Sequence, residues 1–291
     1  MVNRCRVVAD RILGKNIAGR NFAVFPDDSF IVSYPRSGST WLRFLVGNLL
    51  STNEPISFNN IEQVIPDIHV NSARYIASIP RPRLLKSHEY FDHRYRKVVY
   101  LVRDPRDVVV SYYRYHLKVR RLQDGYPIDR YVHEFLNGEL EPWRSWRGNV
   151  ASWLDARHSR QEFLLIRYED LLENTVAELS RIAEFLDIET SPARLERAVT
   201  LSSAQRMREL EQTQGPAWVT IKGSREDIPF IGRATSGGWR AALSEPAVAT
   251  IEWACGSLMN RLGYDLDLLP QKRAVGQVLP RQVAIRSRPS I

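Results

Sequence analysis

The sequence predicts an α/β fold: a single domain with a central parallel sheet flanked by helices and a P-loop-like strand-loop-helix phosphate site. Three observations predict it. Short runs rich in β-branched and aromatic residues, at 30–34, 97–103 and 162–168, alternate with stretches of helical spacing, the pattern of parallel strands with helices on both faces. The middle run, KVVYLVR, is continuously apolar between its charged ends, as a strand buried on both faces must be. The loop SYPRSGSTW at 33–41 joins the first run to a helix-like stretch, which aims several backbone N–H groups at one spot.

The elements follow in order. Phe30 to Tyr34 is the first strand, closed by Pro35, and Thr40 to Leu50 repeats apolar residues at helical spacing. Leu84 to His88 is a second, shorter strand. Lys97 to Arg103 is the third, and Asp104-Pro105 then supplies an N-cap and a first-turn proline for a helix reaching about Arg120. The stretch 127–158 reads as two helices rich in Tyr and Trp. Glu162 to Tyr168 is another strand, followed by an amphipathic helix over Glu169 to Leu186. Residues 212–240 have little periodicity and many turn formers, so a long surface loop is expected there, either mobile or held by a ligand. Ser244 to Leu262 returns to helical spacing. With 291 residues, 44% of them hydrophobic, and no internal repeat, one core is the simplest account. The expected domain spans 28–265, with 1–27 packed on or extending from it and 266–291 forming a basic tail.

Forty-one Lys and Arg against 33 Asp and Glu give a net charge of +8, which favours an anionic substrate, a polyanion or an acidic surface without choosing among them. Cys5 and Cys255 are the only cysteines, too few for a disulfide framework or a zinc cluster. The N-terminus is charged every few residues and lacks a signal's apolar core, and no stretch has the ~20 apolar residues that span a bilayer. A cytoplasmic protein without a transmembrane segment is expected.

In the loop 33–41, Arg36 adds a full charge, and Ser37, Ser39 and Thr40 add hydroxyl donors to the helix N-terminus, so an anion is the natural occupant. A nucleoside-triphosphate loop would read G-x-x-x-x-G-K followed by Ser or Thr; here the first glycine and the terminal pair are missing. The central strand also ends in Arg103, where a magnesium-binding carboxylate would be expected. Arg103 stands at the carboxyl end of that strand, with Ser111 two helical turns later, so both are placed to face one crevice or, equally, to serve only their own helix.

YPRSGSTW at 34–41 and YLVRDPRDVVVSYY at 100–113 together closely resemble the two nucleotide-binding signatures of the cytosolic-type PAPS-dependent sulfotransferases. KSH at 86–88, RYEDLLEN at 167–174 and GGWR at 237–240 continue the resemblance in order over residues 30–262. It implies that 3'-phosphoadenosine 5'-phosphosulfate (PAPS) is the co-substrate and its bisphosphate, PAP, the product, with no metal. Arg36, Ser37, Gly38, Ser39, Thr40 and Trp41 would hold the 5'-phosphosulfate and adenine end. Arg103 and Ser111 would take the 3'-phosphate, Tyr168 and Ser202 would meet adenine, and Arg233 would serve from the late loop. That loop, GRATSGGWR, has Gly232 and Ala234 where the family has Arg and Gly, which leaves one 3'-phosphate contact either missing or supplied from elsewhere. Arg36 stands where the family usually has lysine; it keeps the charge but cannot lend a proton, which leaves that role to Lys86.

The resemblance makes His88 the general base, since neutral imidazole can accept the acceptor's hydroxyl proton as oxygen attacks sulfur, with Lys86 and Arg36 charging the departing phosphate. Glu89 is the fallback base; His93 and His116 read as surface or wall residues. The acceptor is a hydroxyl or amine on a small molecule, saccharide or lipid. Tyr90, Tyr126, Tyr131, Trp143, Trp146 and Trp153 are candidates to line its pocket. A small-molecule kinase using ATP and magnesium, and a basic nucleic-acid-binding protein, are the competing readings; RYHLKVRR at 114–121, the nearest basic run, reads better as a solvated helix face. No specific nucleic acid is expected. The family's dimer motif is not legible in RAALSEPAVA, so no dimer is inferred.

Overall fold

A computed structural model describes residues 22–140 and 142–268. Cys5, most of the segment 1–27 and the tail beyond 268 lie outside the described residues. Four parallel strands, β1 (Ser29–Ser33), β2 (Leu84–Ser87), β3 (Lys97–Val102) and β4 (Phe163–Arg167), form one sheet in the order β2-β1-β3-β4. Register runs Val32 beside Ser87, Ser33 beside Leu101 and Val102 beside Arg167, so all four carboxyl ends meet at one edge. The chain leaves β1 to one side for β2 and returns to the other for β3. That reversal opens a crevice above β1, the position at which open α/β sheets bind ligands.

Strand alternation sorts the core into two layers. Val98, Tyr100 and Val102 face α4 (Pro105–Lys118), α5 (Ile128–Asn137), α6 (Trp146–Arg157) and α11 (Glu245–Arg261). Ile31, Val99 and Leu101 face α1 (Ser39–Leu50), α8 (Thr175–Phe185) and α9 (Pro192–Leu201). The Asp104 side chain accepts from Arg106 N–H, and Pro105 opens α4, as the N-cap reading requires.

Three differences from the sequence reading have local causes. The single helix expected over 169–186 is two, α7 (Tyr168–Glu173) and α8, because Asn174 at φ −130°, ψ 57° breaks the ladder. The short helices α2 (Ile61–Val64) and α3 (Ala73–Ser78), and the longer α9 and α10 (Ala204–Gln214), were not foreseen. Ser191 capping Arg194 N–H ahead of Pro192 was the available signal for α9. Finally, α10 and two 3₁₀ turns, Gly215–Ala217 and Gly238–Ala241, take up part of the region read as irregular.

Side chains of the domain tie down the rest of that region. Lys118 Nζ donates to the carbonyls of Arg225 and Ile228 at 2.9 and 2.7 Å. Glu211 accepts from Phe230 and Ile231 N–H at 2.6 and 2.8 Å, and Asp107 from Gly237 and Trp239 N–H at 2.7 and 3.1 Å. Among the described residues no helix is long and apolar enough to cross a membrane.

Candidate functional site

Four of the candidate positions directly follow the carboxyl end of a strand: the loop 34–38 after β1, His88 after β2, Arg103 after β3 and Tyr168 after β4. The sheet register therefore gathers them at one edge although up to 134 residues separate them in sequence.

The loop after β1 turns sharply, with Arg36 at φ 67° and Gly38 at φ 102°. Gly38 is required there: a Cβ would sit 2.6 Å from Tyr168 Cδ2, besides the strain of the left-handed backbone. Gly38 caps α1 without a side chain, so the first N–H groups of the helix are left for a ligand. Ser37 Oγ is buried with no hydrogen-bond partner in the structure. A buried orphan donor beside a bare helix N-terminus is what a phosphate cradle needs. Trp41 meets the Tyr168 ring edge-on at 5.7 Å, and Arg103 lies over the same ring at 4.2 Å, which builds an aromatic and cationic wall at the β3–β4 side.

Arg36 turns away from its own loop. Its Nε donates to Ser111 Oγ at 3.2 Å and its Nη2 to Phe230 O at 3.2 Å, with Tyr115 and Phe230 rings 4.9 and 4.5 Å from its guanidinium carbon. Burial pushes its pKa down to about 10, which leaves it fully charged at neutral pH. Arg36 and Ser111 are thus brought together as one donor group. Arg103 Nη2 donates to Thr235 O at 3.1 Å, and its Nε has no partner. Its nearest carboxylate, Asp107, stands 3.9 Å away and already serves Gly237 and Trp239. Arg103 is therefore not consumed by an ion pair.

Next to Ser111 on α4, Arg114 lines an open cavity of about 640 Å³ together with Arg208 and Arg233. Arg208 Nη1 donates to Gly232 O at 3.0 Å. Sequence reasoning placed only Arg233 at the site; Arg114 opens the run RYHLKVRR, read as a solvated helix face, and Arg208 carries no motif. Ala234 in the same loop adopts φ 54°, the left-handed conformation usually left to glycine.

On the opposite flank of the loop, His88 Nδ1 donates to Ser33 O at 2.7 Å, which fixes the neutral tautomer with Nε2 as the free acceptor. Burial, then the nearby Lys86 charge, hold this imidazole well below its ordinary pKa. His88 N–H donates to His69 Nε2 at 2.8 Å, and the two rings lie parallel with Trp143 against both, 4.2 Å from His69 and 5.7 Å from His88. Burial lowers His69 to about 3, so it too is neutral. Lys86 Nζ is held by Asp67 Oδ2 at 2.6 Å, both side chains being buried. Asp67 and His69 escaped the sequence reading because neither falls in a motif.

Other candidates lie elsewhere. Ser202 is fully buried at the end of α9, where its hydroxyl accepts from Asn48 Nδ2 at 3.1 Å, so the structure does not bring it to the crevice. Tyr131, Trp146 and Trp153 are fully buried core residues, Tyr90 is half-buried beside Arg144, and Trp143 packs against His88. Tyr126 is tied to Glu134, and His116 is buried against Tyr131. Glu89 is buried behind Trp153, whose Nε1 donates to the Glu89 carbonyl at 2.9 Å.

The sequence model of the Sulfotransferase domain matches residues 26–263. The chain is 29% identical to Sulfotransferase 1E1 of Bos taurus over 234 residues, 75% of this chain and 79% of that one. It is also 29% identical to Cytosolic sulfotransferase 12 of Arabidopsis thaliana over 260 residues, 81% and 78% of the two chains. Among solved structures, mouse sulfotransferase SULT7A1 complexed with PAP shares the fold at a TM-score of 0.68 and 21% identity, covering 83% of this chain and 87% of that one. Retinol dehydratase in complex with retinol and PAP does so at 0.69 and 21%, covering 89% and 87%.

Proposed function

This chain belongs to the Sulfotransferase domain family, and from that premise we propose that it moves a sulfuryl group from PAPS to a hydroxyl or amine acceptor, with His88 as general base. The observation that carries the reading is the set of donors around one crevice that no carboxylate hydrogen-bonds. Ser37 Oγ and the N-terminus of α1 stand at one end. Arg103 Nε and the Arg36–Ser111 pair stand at the other. A nucleotide bearing groups at both its 5' and 3' ends fits that spacing of charge, and the edge-on Trp41–Tyr168 pair offers its base an aromatic wall. SULT7A1 and retinol dehydratase, which share the fold, are described as PAP complexes.

In the proposed step the acceptor oxygen forms its bond to sulfur as the bond from sulfur to the 5'-phosphate oxygen breaks. The electron pair leaves with that phosphate, and the acceptor's proton passes to His88 Nε2. His88 is suited to this because its Nδ1–H is already committed to Ser33 O. Charge that develops on the departing phosphate is met by the α1 N-terminus and by the Lys86 ammonium, two residues before the base, rather than by Arg36, which is held on Ser111 at the other end. The acceptor is an organic alcohol, phenol or amine entering past Trp143, and the protein works in the cytoplasm as the 28–265 domain.

Calorimetry tests the reading. PAP should bind at least about tenfold more tightly than 5'-AMP, the worth of one charge-assisted contact. Equal affinities, or turnover that requires ATP and magnesium, overturn it.

A further inference from the structure

The buried network behind His88 reaches well beyond the residues that the reaction itself requires. The segment 66–69 lies along β2, with Ile68 N–H on Lys86 O at 3.1 Å and Lys86 N–H on Pro66 O at 2.9 Å. This short bridge aims the Asp67 side chain at Lys86 and sets His69 two residues on, where its ring stacks with His88. Asp67 then acts in two directions. Its Oδ2 takes Lys86 Nζ at 2.6 Å, and its Oδ1 accepts His69 N–H at 2.9 Å, while His69 Nε2 accepts His88 N–H at 2.8 Å. Asp67 is itself anchored, since its N–H donates to Glu62 Oε2 at 2.8 Å and Glu62 Oε1 pairs with Arg43 of α1 at 2.8 Å.

We propose that Asp67 is a positioning residue for the transfer: through its ion pair it keeps Lys86 charged and in place two residues from the base, and through His69 it fixes the backbone that carries His88. The inference rests on the reading that His88 and Lys86 serve sulfuryl transfer.

The physical reason is the cost of the lysine. A buried ammonium without a counter-charge gives up its proton rather than stay charged. Burial pushes Lys86 that way, and Asp67 opposes it. Of the other charges facing Lys86, Arg43 also disfavours its ammonium and Glu62 favours it, but Arg43 and Glu62 already neutralise one another. Asp67 is thus the one uncommitted counter-charge among them. Without it the Lys86 pKa falls, so the ammonium is present at low pH and lost as pH rises through the lowered value. His88 faces Lys86, Asp67 and His69; with His69 neutral, losing Asp67 cannot raise the His88 pKa while Lys86 stays charged, and the acid side of the profile should not move upward.

Asp67→Asn tests this with little change of shape, because the amide keeps an oxygen for His69 N–H. We expect kcat at pH 7.5 to fall at least about tenfold, KM for PAPS to stay within about twofold, and the alkaline limb of the pH profile to move down by about one unit or more, the scale of a lost buried counter-charge. Asp67→Glu should recover part of the rate. In a Lys86→Met background the Asp67→Asn change should cost almost nothing further, since both act through one contact. A variant within twofold of the parent at every pH, or one whose loss adds in full to that of Lys86→Met, overturns the proposal. The Lys86 Nζ resonance in ligand-free, ¹⁵N-lysine-labelled protein gives a readout independent of turnover: it should titrate at lower pH in Asp67→Asn, and an unchanged titration overturns the ion pair's role. Should the parent protein transfer nothing from PAPS, the sulfotransfer reading fails, and the resonance still decides for or against the pair.

Discussion

The two flanks of the phosphate loop manage charge in opposite ways. On the His88 flank three buried cations are matched by carboxylates: Lys86 with Asp67, Arg43 with Glu62 and, deeper, Arg83 with Asp28 at 2.5 Å. On the Arg103 flank three arginines hydrogen-bond neutral carbonyls instead, Arg36 on Phe230, Arg103 on Thr235 and Arg208 on Gly232, with the Arg103–Asp107 pair standing off at 3.9 Å. A carboxylate in contact with a guanidinium competes with an incoming phosphate, whereas a carbonyl gives way to it, because the charge-assisted bond is about twice as strong. The first flank is therefore set in advance for proton transfer, and the second is left in credit for an anion.

Removing the base should break the comparison most severely. His88→Ala is expected to lower kcat by about 10²–10⁴, the usual worth of a positioned general base, with PAP affinity unchanged because no phosphate donor is lost. The pH profile sharpens the same point. Since burial and the Lys86 charge hold His88 well below its ordinary range, the base is already free at mildly acid pH. kcat/KM should keep its plateau below pH 6 and fall only as pH approaches the lowered value. An acid limb centred near the ordinary imidazole pKa of ~6.5 would show that His88 is solvated as the base, contrary to its burial.

A change on the other flank should do the reverse. Arg103→Gln removes a guanidinium whose Nε is unpartnered and whose closest carboxylate is engaged elsewhere, so little of the fold depends on it. PAP affinity should fall about 10- to 100-fold, the worth of one or two hydrogen bonds to a charged group, while 5'-AMP affinity barely moves. Rate at saturating donor should stay near that of the parent. A matching loss for both nucleotides would mean that Arg103 supports the Tyr168 wall it stacks upon rather than a phosphate.

What the sequence made legible follows the same division. The loop 34–41, His88, Arg103 and Tyr168 each sit within a few residues of a strand end, so strand recognition placed them together without any knowledge of packing. Asp67 and His69 could not be found that way. They reach β2 from a segment with no motif, and their importance arises only when the parallel bridge to Lys86 forms. Orientation was equally hidden. Tyr131, Trp146 and Trp153 have the composition of a pocket wall, yet helix rotation turns them into the core, and Ser202 is turned onto Asn48. Residues 212–240 looked unstructured because their order comes from Lys118, Glu211 and Asp107, side chains that sequence periodicity cannot connect to them.

The smallest expected effect lies in that loop, at Ala234. Its φ of 54° places a Cβ in the left-handed region, which costs about 1–2 kcal/mol relative to a right-handed residue. Glycine would remove that cost but lose about 0.5–1 kcal/mol through the extra freedom of the unfolded chain. The two nearly cancel, so Ala234→Gly should raise stability by only about 0.5 kcal/mol, at most a degree or two in Tm for a chain of this size. The local consequence differs from the global one. Ala234 lies between Arg233, which lines the arginine cavity, and Thr235, whose carbonyl receives Arg103. Freeing this hinge loosens the carbonyl side of the Arg103 flank while leaving Asp67, Lys86 and His88 untouched, so PAP affinity should shift slightly at constant kcat. A change in kcat larger than the change in PAP affinity would show that the two flanks are coupled through the loop.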